Sequence, residues 1–213
     1  MSDRPSNRRP LASRDTGWAR RLSSRLAATS VTPNQISMAG MVAALASGLC
    51  FWAVGSVDGP VRALLLILAA GMCQIRLLCN LLDGMVAVEA GRASPDGGYW
   101  NEFPDRVSDA LILVGVGLGL GHAGLGWAAT SFAFLTAYVR ELGSNLGQAA
   151  DFSGPMAKPH RMALITGAAL LAILEPLWGG DGHVLHLALW IIVLGAALTA
   201  VRRSYRLVTA LRG

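Results

Sequence analysis

Between Cys79 and Leu113 an otherwise apolar stretch of chain gathers Asn80, Asp83, Glu89, Asp96, Asn101, Glu102, Asp105 and Asp109. Carboxylate and amide oxygens are the hard donors that Mg²⁺ or Mn²⁺ take as ligands, and such cations in turn hold phosphate oxygens. On a helix, Arg76, Asn80, Asp83 and Ala87 fall at i, i+4, i+7 and i+11, a polar stripe on an apolar span. Asn101, Asp105 and Asp109 repeat at i, i+4 and i+8, which puts them on one face of the following helix, with Pro104 expected in its first turn. Two neighbouring antiparallel helices would then present oxygen ligands to one another. Acids at a membrane edge also cap helices or pair with bases such as Arg76 and Arg106. Three carboxylates together, Asp83, Asp105 and Asp109, flanked by Gly91, Gly97 and Gly98, favour a site over capping.

The elements that must position these groups are membrane spans. The chain has 213 residues, 53% of them hydrophobic and only 15% charged, outside the usual range of a water-soluble domain. Six apolar runs approach the roughly 20 residues that a helix needs to cross a bilayer core, at 36–55, 61–88, 105–121, 125–146, 161–178 and 184–201. Backbone in lipid must satisfy its own hydrogen bonds, and the alternating pattern of a β-barrel is absent. The expected class is all-α, a polytopic membrane protein with six transmembrane helices.

Basic residues set the orientation, because Lys and Arg collect on the cytoplasmic side. They crowd the N-terminal segment, recur as Arg92 in the third connection and as Lys158 and Arg161 in the fifth, and return in the tail at Arg202, Arg203, Arg206 and Arg212. Arg62 alone interrupts the intervening connections. Both termini and the acid-rich connection are therefore expected at the cytoplasmic face of a bacterial inner membrane. Residues 1–30 read as a cytoplasmic segment and 31–213 as the membrane domain. Within the segment, Trp18, Leu22 and Leu26 recur at i, i+4 and i+8 with arginines on other faces, predicting an amphipathic helix on the membrane surface.

Composition also excludes other classes. The net charge of +5 follows the sidedness and suits anionic headgroups; without a separate basic domain carrying interleaved aromatics, no nucleic-acid partner is expected. No cleavable signal peptide is expected, since the basic start is too long and no short apolar region ends in a cleavage site. Cys50, Cys73 and Cys79 have no metal-ligand spacing and read as packing residues. The run GVGLGLG at 115–121 lies inside a span and lacks the ending of a phosphate loop, so its small residues predict close helix packing. Arg140, Lys158, His160 and Arg161 are expected at the cytoplasmic mouth, where cations suit a phosphate group.

The spacing resembles that of the CDP-alcohol phosphotransferases, integral membrane enzymes that make phospholipids. Their signature is Asp-Gly-x2-Ala-Arg-x8-Gly-x3-Asp-x3-Asp, usually with a further Asp three residues ahead. Asp83, Gly84, Ala87, Gly97 and Asp105 match it in place, and VTPNQIS at 31–37 is similar to the approach to the family's first span. Where the family has its first Asp this chain has Asn80; it has Val88 for the Arg and Asn101 for the third Asp. An amide oxygen still ligates a hard cation but brings no charge, so the two asparagines should weaken metal binding substantially. Glu102, Asp109 and Arg92 are candidate replacements. A shifted register, with Asp105 and Asp109 as the last two carboxylates, ranks second because it loses the match at Gly97.

The resemblance implies a CDP-activated lipid as donor, a small alcohol as acceptor, CMP as product, Mg²⁺ or Mn²⁺ as cofactor and a homodimer. Carried over by position, it makes Asp83 a metal ligand, Asp105 the base or a ligand, and Asn80 and Asn101 occupants of ligand positions, with Asp109 the second catalytic candidate. Gly84, Ala87, Arg92 and Gly97 would face the nucleotide. Two rivals stand beside it: a relative that binds CDP-lipid without turnover, and a transporter using Arg76, Asp83 and Arg140. The transporter lacks polar residues continuing to the far side of spans two to four.

Overall fold

The computed structural model describes residues 16–89 and 95–213. Among the described residues it holds seven α-helices and no strand: α1 (Gly17–Ala27), α2 (Pro33–Val54), α3 (Gly59–Glu89), α4 (Gly97–Gly119), α5 (Ala123–Asn145), α6 (Lys158–Ala172) and α7 (His183–Leu211), with a 3₁₀ turn at Glu175–Trp178. The start of α2 is written in its first residues. The Gln35 N–H donates to Thr32 Oγ1 at 3.2 Å and the Thr32 N–H donates to Gln35 Oε1 at 2.9 Å, while Pro33, which has no N–H to satisfy, takes the first helical turn.

α2 packs on both α3 and α4; α4 continues onto α5, α5 onto α7, α7 onto α6, and α6 returns to α3. The six helices thus close a ring around one apolar core, to which they contribute Phe51, Leu66, Ile112, Ala133, Ile165 and Leu189 in turn. The outside is also apolar: Val42, Leu49, Leu64, Ile67, Leu194 and Leu198 are all exposed. A surface this broadly apolar is stable in lipid and not in water, and α2, α3 and α7 are each long and apolar enough to cross a membrane. The chain is an integral membrane protein.

Glycines set the closest helix contact. A Cβ on Gly115 of α4 would stand 2.4 Å from the Gly48 carbonyl oxygen of α2, and one on Gly48 would stand 2.3 Å from that of Leu111. The small residues of the 115–121 run therefore do what their spacing predicts, bringing two backbones into contact.

Three boundaries differ from the sequence reading. α4 begins at Gly97, so Pro104 lies inside the helix rather than in its first turn; it removes the N–H that would have bonded the Trp100 carbonyl. The fifth run is not continuous. α6 stops at Ala172, because Pro176 cannot propagate a helix and Glu175 turns inward, completely buried. α7 runs past Val201 to Leu211, since the arginines that end the apolar run are good helix formers.

Glu175 also explains Arg62, the one base out of place in the charge pattern. Arg62 Nη2 pairs with Glu175 Oε2 at 2.8 Å, and the other carboxylate oxygen accepts the Val184 N–H at 2.7 Å at the start of α7. Glu175→Ala leaves Arg62 buried without its charge partner, and a loss of about 3–5 kcal/mol is expected, read as a drop in the unfolding midpoint in detergent.

α1 lies against α3. Ala19 packs with Leu81 and Met85, and Leu22 and Leu26 rest on Ile36, Leu82 and Val86, leaving Arg20, Arg21 and Arg25 exposed. Part of the apolar face expected to meet lipid is thus covered by the bundle itself.

Candidate active site

The starts of α2, α4 and α6 meet the ends of α3, α5 and α7 at one end of the ring, around a cavity of about 630 Å³. α2 supplies Ser37; α3 supplies Asn80, Asp83, Gly84 and Ala87; α4 supplies Gly97, Asn101, Glu102, Asp105 and Arg106; Arg140, Lys158, Arg161 and Arg203 come from α5, α6 and α7. α3 and α4 touch little directly and face each other across this space, with α2 packed on both. Gly84 and Ala87, with minimal side chains one turn apart, keep the α3 wall low beside Asp83.

Asp105 is the hub. Its Oδ1 accepts from Arg76 Nη2 at 2.7 Å and from Asn80 Nδ2 at 3.1 Å, while Oδ2 pairs with the Lys158 ammonium. Lys158 Nζ also donates to Asn80 Oδ1 at 2.6 Å, so the amide bridges the carboxylate and the ammonium. Asp83 is held differently: Ser37 Oγ donates to its Oδ2 at 2.7 Å and the Gly84 N–H to its Oδ1 at 2.6 Å. Glu102 pairs with both Arg106 and Arg140, and the Arg140 guanidinium stands 5.3 Å from the centre of the Phe152 ring.

The structure brings most of the expected residues to one wall or another of the cavity. Asp109 is the exception among the acids. It is fully buried and does not line the space; Arg161 Nη2 holds its Oδ2 at 2.6 Å. His160 is exposed and also off the cavity wall, because it follows Lys158 by two residues and a helix turns it away. Asn101 lies at the rim, exposed, with its Nδ2 donating to Glu102 Oε1 at 3.2 Å. Arg92 lies outside the described residues.

Arg203 is a cavity residue that the sequence reading left in the basic tail. Its guanidinium is buried and donates to the Ser153 and Thr136 carbonyls at 2.9 and 2.8 Å, tying the connection before α6 to the end of α5. A signal was available: Ala196, Thr199, Ala200 and Arg203 fall at i, i+3, i+4 and i+7 and are all buried. Ser37 was also missed, although it stands in the expected approach to the first span.

The chain is similar to proteins whose chemistry is named. Archaetidylinositol phosphate synthase of Aeropyrum pernix is 34% identical over 152 residues, 71% of this chain and 72% of that one. The inner membrane protein YnbA of Escherichia coli is 30% identical over 174 residues, 81% of this chain and 83% of its own. No family model matches the chain. The relatives decide its kinship. The chain belongs to the CDP-alcohol phosphotransferase family. Its fold agrees with that assignment: phosphatidylinositol phosphate synthase of Mycobacterium tuberculosis with CDP-DAG bound superposes with a TM-score of 0.72 at 18% identity, over 89% of this chain and 92% of that one. The same enzyme has been solved in complex with manganese and citrate, TM-score 0.74 at 18% identity, over 90% of this chain and 89% of that one.

As a CDP-alcohol phosphotransferase, the chain departs from its family where charge is concerned. Of the four signature acids only Asp83 and Asp105 are carboxylates, and Asp105 is paired with both Lys158 and the buried Arg76. Glu102 is neutralised by Arg106 and Arg140. Among the described residues no three His, Cys, Asp or Glu side chains converge on a point where they could hold a metal ion. Two signature carboxylates facing two cations are formally neutral, so a pair of divalent ions added there would meet no net attraction. The residues present do not fit a two-cation cluster.

Proposed function

We infer that the chain is a membrane phosphotransferase that moves a phosphatidyl or related phosphoalcohol group from a CDP-activated lipid to an alcohol acceptor, releasing CMP, in phospholipid synthesis. The observation that carries this reading is the Asp105 carboxylate on the wall of a cavity lined by Gly84 and Ala87 and ringed by cations. The acceptor hydroxyl gives its proton to Asp105 while its oxygen bonds to the lipid-linked phosphorus, and the bond from that phosphorus to the CMP oxygen breaks. Arg76 and Asn80 hold one oxygen of Asp105 and Lys158 the other, which fixes the carboxylate that receives the proton.

On this reading Asp83, Asn80, Asn101 and Gly97 line the donor half of the cavity and Arg140, Arg161 and Arg203 the acceptor half, with Lys158 against Asn80 and Asp105 between them. Asp109 is a positioning residue that holds Arg161. Residues 1–30 belong to the cytoplasmic segment, with α1 at the membrane surface. Residues 31–213 cross the bacterial inner membrane six times, with both termini and the cavity cytoplasmic, as a homodimer. The basic residues at the cavity end of the helices support this orientation.

The test is CMP release by the purified protein from CDP-diacylglycerol with glycerol 3-phosphate, inositol phosphate or serine as acceptor. CMP formed with an equal amount of new lipid is expected. CDP-lipid bound without CMP from any acceptor would instead fit the relative that has kept binding and lost turnover. Arg140→Ala is expected to raise the acceptor KM about tenfold with kcat little changed, since it removes a binding contact rather than the base.

A further inference from the structure

The misfit between this cavity and a metal cluster has a positive side. The geometry points to Lys158, backed by Arg76, as the resident cationic centre for the donor's pyrophosphate, in place of divalent metal ions. The inference rests on the functional reading above and concerns the same site.

Three observations carry it. First, the Lys158 ammonium is where the two walls of the site meet: from the first turn of α6 it reaches Asn80 Oδ1 on α3 at 2.6 Å and pairs with Asp105 Oδ2 on α4. A cation bridging α3 and α4 is what the family's paired acids would otherwise recruit. Second, the charges match this replacement. With Asn at 80 and 101 the site has lost two negative charges, and with Lys158 and Arg76 it carries two positive ones. Asn80 is suited to this arrangement and not merely tolerated by it. Its amide donates to Asp105 through Nδ2 and accepts from Lys158 through Oδ1, whereas a carboxylate there would turn an oxygen without a proton toward Asp105 Oδ1.

Third, the side chains are braced. Arg76 is 1% exposed and lies behind the cavity wall, where its Nη2 holds Asp105, so it supports the site from beneath. The Lys158 side chain is 17% exposed and reaches the cavity wall, and with two protons on Asn80 and Asp105 it has a third for an incoming oxyanion. A fixed ammonium at the mouth of a partly desolvated cavity stabilises phosphate charge through charge-assisted hydrogen bonds, and does so without ligand exchange.

The test uses the full chain purified in detergent. Mn²⁺ is titrated and followed by electron paramagnetic resonance, and CDP-diacylglycerol binding is measured in EDTA and in Mn²⁺. The inference expects no stoichiometric Mn²⁺ uptake and CDP-lipid affinities that agree within about twofold in the two buffers. Lys158→Met should weaken CDP-lipid binding about tenfold or more, and Lys158→Arg should restore most of it. The triple change Asn80→Asp, Asn101→Asp and Lys158→Met should create Mn²⁺ uptake that the wild type lacks. Stoichiometric Mn²⁺ on the wild type, with CDP-lipid binding lost in EDTA, would overturn the inference and leave the transferase standing. Absence of CDP-lipid binding in both buffers would overturn it together with the functional reading. The wild-type measurements need no variant, so a misfolded Lys158→Met protein would not shelter the idea.

Discussion

Asp105→Asn is expected to lower CMP release by about 10²–10⁴-fold, the usual contribution of a positioned general base. The substitution keeps the side chain's size but removes the proton acceptor, and it costs stability too, because the buried Arg76 loses its charge partner and the new amide NH2 faces a donor on either side. It also removes one negative charge from beside two cations, so CDP-lipid binding should hold or tighten. That split separates chemistry from structure: kcat collapses while donor affinity does not. Asp109→Asn, the other catalytic candidate, should share the cost in stability but not the loss of turnover. It strips the charge from a carboxylate that is fully buried against Arg161, and the expected cost is about 3–5 kcal/mol of stability. Activity per folded molecule should fall far less than in Asp105→Asn. Steady-state CMP release, CDP-lipid binding and unfolding midpoints on both variants decide the matter. Equal loss of kcat in the two, with intact folding, would move the base to Asp109 and favour the shifted register.

Gly115→Leu is expected to unfold or split the helix bundle. At most core positions an added side chain finds some give in its neighbours, and the cost is about 1–3 kcal/mol. Here a Cβ alone would meet the Gly48 carbonyl oxygen at 2.4 Å and the Gly48 Cα at 2.6 Å, and backbone has no rotamer to change. α2 and α4 must separate along their whole contact, so the expected loss is above that range, at about 4 kcal/mol or more. The effect should reach the site. α2 carries Ser37, which holds Asp83, and α4 carries Asp105. Size-exclusion profiles and thermal unfolding in detergent read the fold, and CDP-lipid binding reads the site. A stable, binding-competent Gly115→Leu protein would mean that the α2–α4 contact is looser than the structure draws it. Gly71→Ala serves as the control, since nothing lies within 4 Å of a Cβ built there.

Much of the fold was legible because a bilayer leaves few options. An apolar run of bilayer length must be a helix, so the six runs located α2 through α7 to within a few residues at most ends. The exceptions have local causes that hydropathy does not weigh. The run 161–178 reads as one span, but Pro176 and the buried pairing of Glu175 with Arg62 turn the chain there and end α6 early. Arg202, Arg203 and Arg206 read as the end of the last span, but helix formation does not stop where hydrophobicity does.

For the site, sequence by itself determined the cast. The spacing of Asn80, Asp83, Gly84, Ala87, Gly97, Asn101 and Asp105 along two helices, and the amides standing where the family has acids, are properties of the chain alone. Helical periodicity suffices to put each set on one face. Only the tertiary structure decided which of them share a cavity and who their partners are. Asp105 and Asp109 are one turn apart and alike in sequence, yet one faces the cavity and the other lies behind it against Arg161. Lys158 reads as one of several cytoplasmic bases until α6 packs on α3 and delivers its ammonium to Asn80 and Asp105. Arg203 comes from the far end of the chain. Pairing across 78 residues, as between Lys158 and Asn80, depends on which helices are neighbours in the ring. That order is set by the summed packing of all six helices, which no local pattern of residues contains.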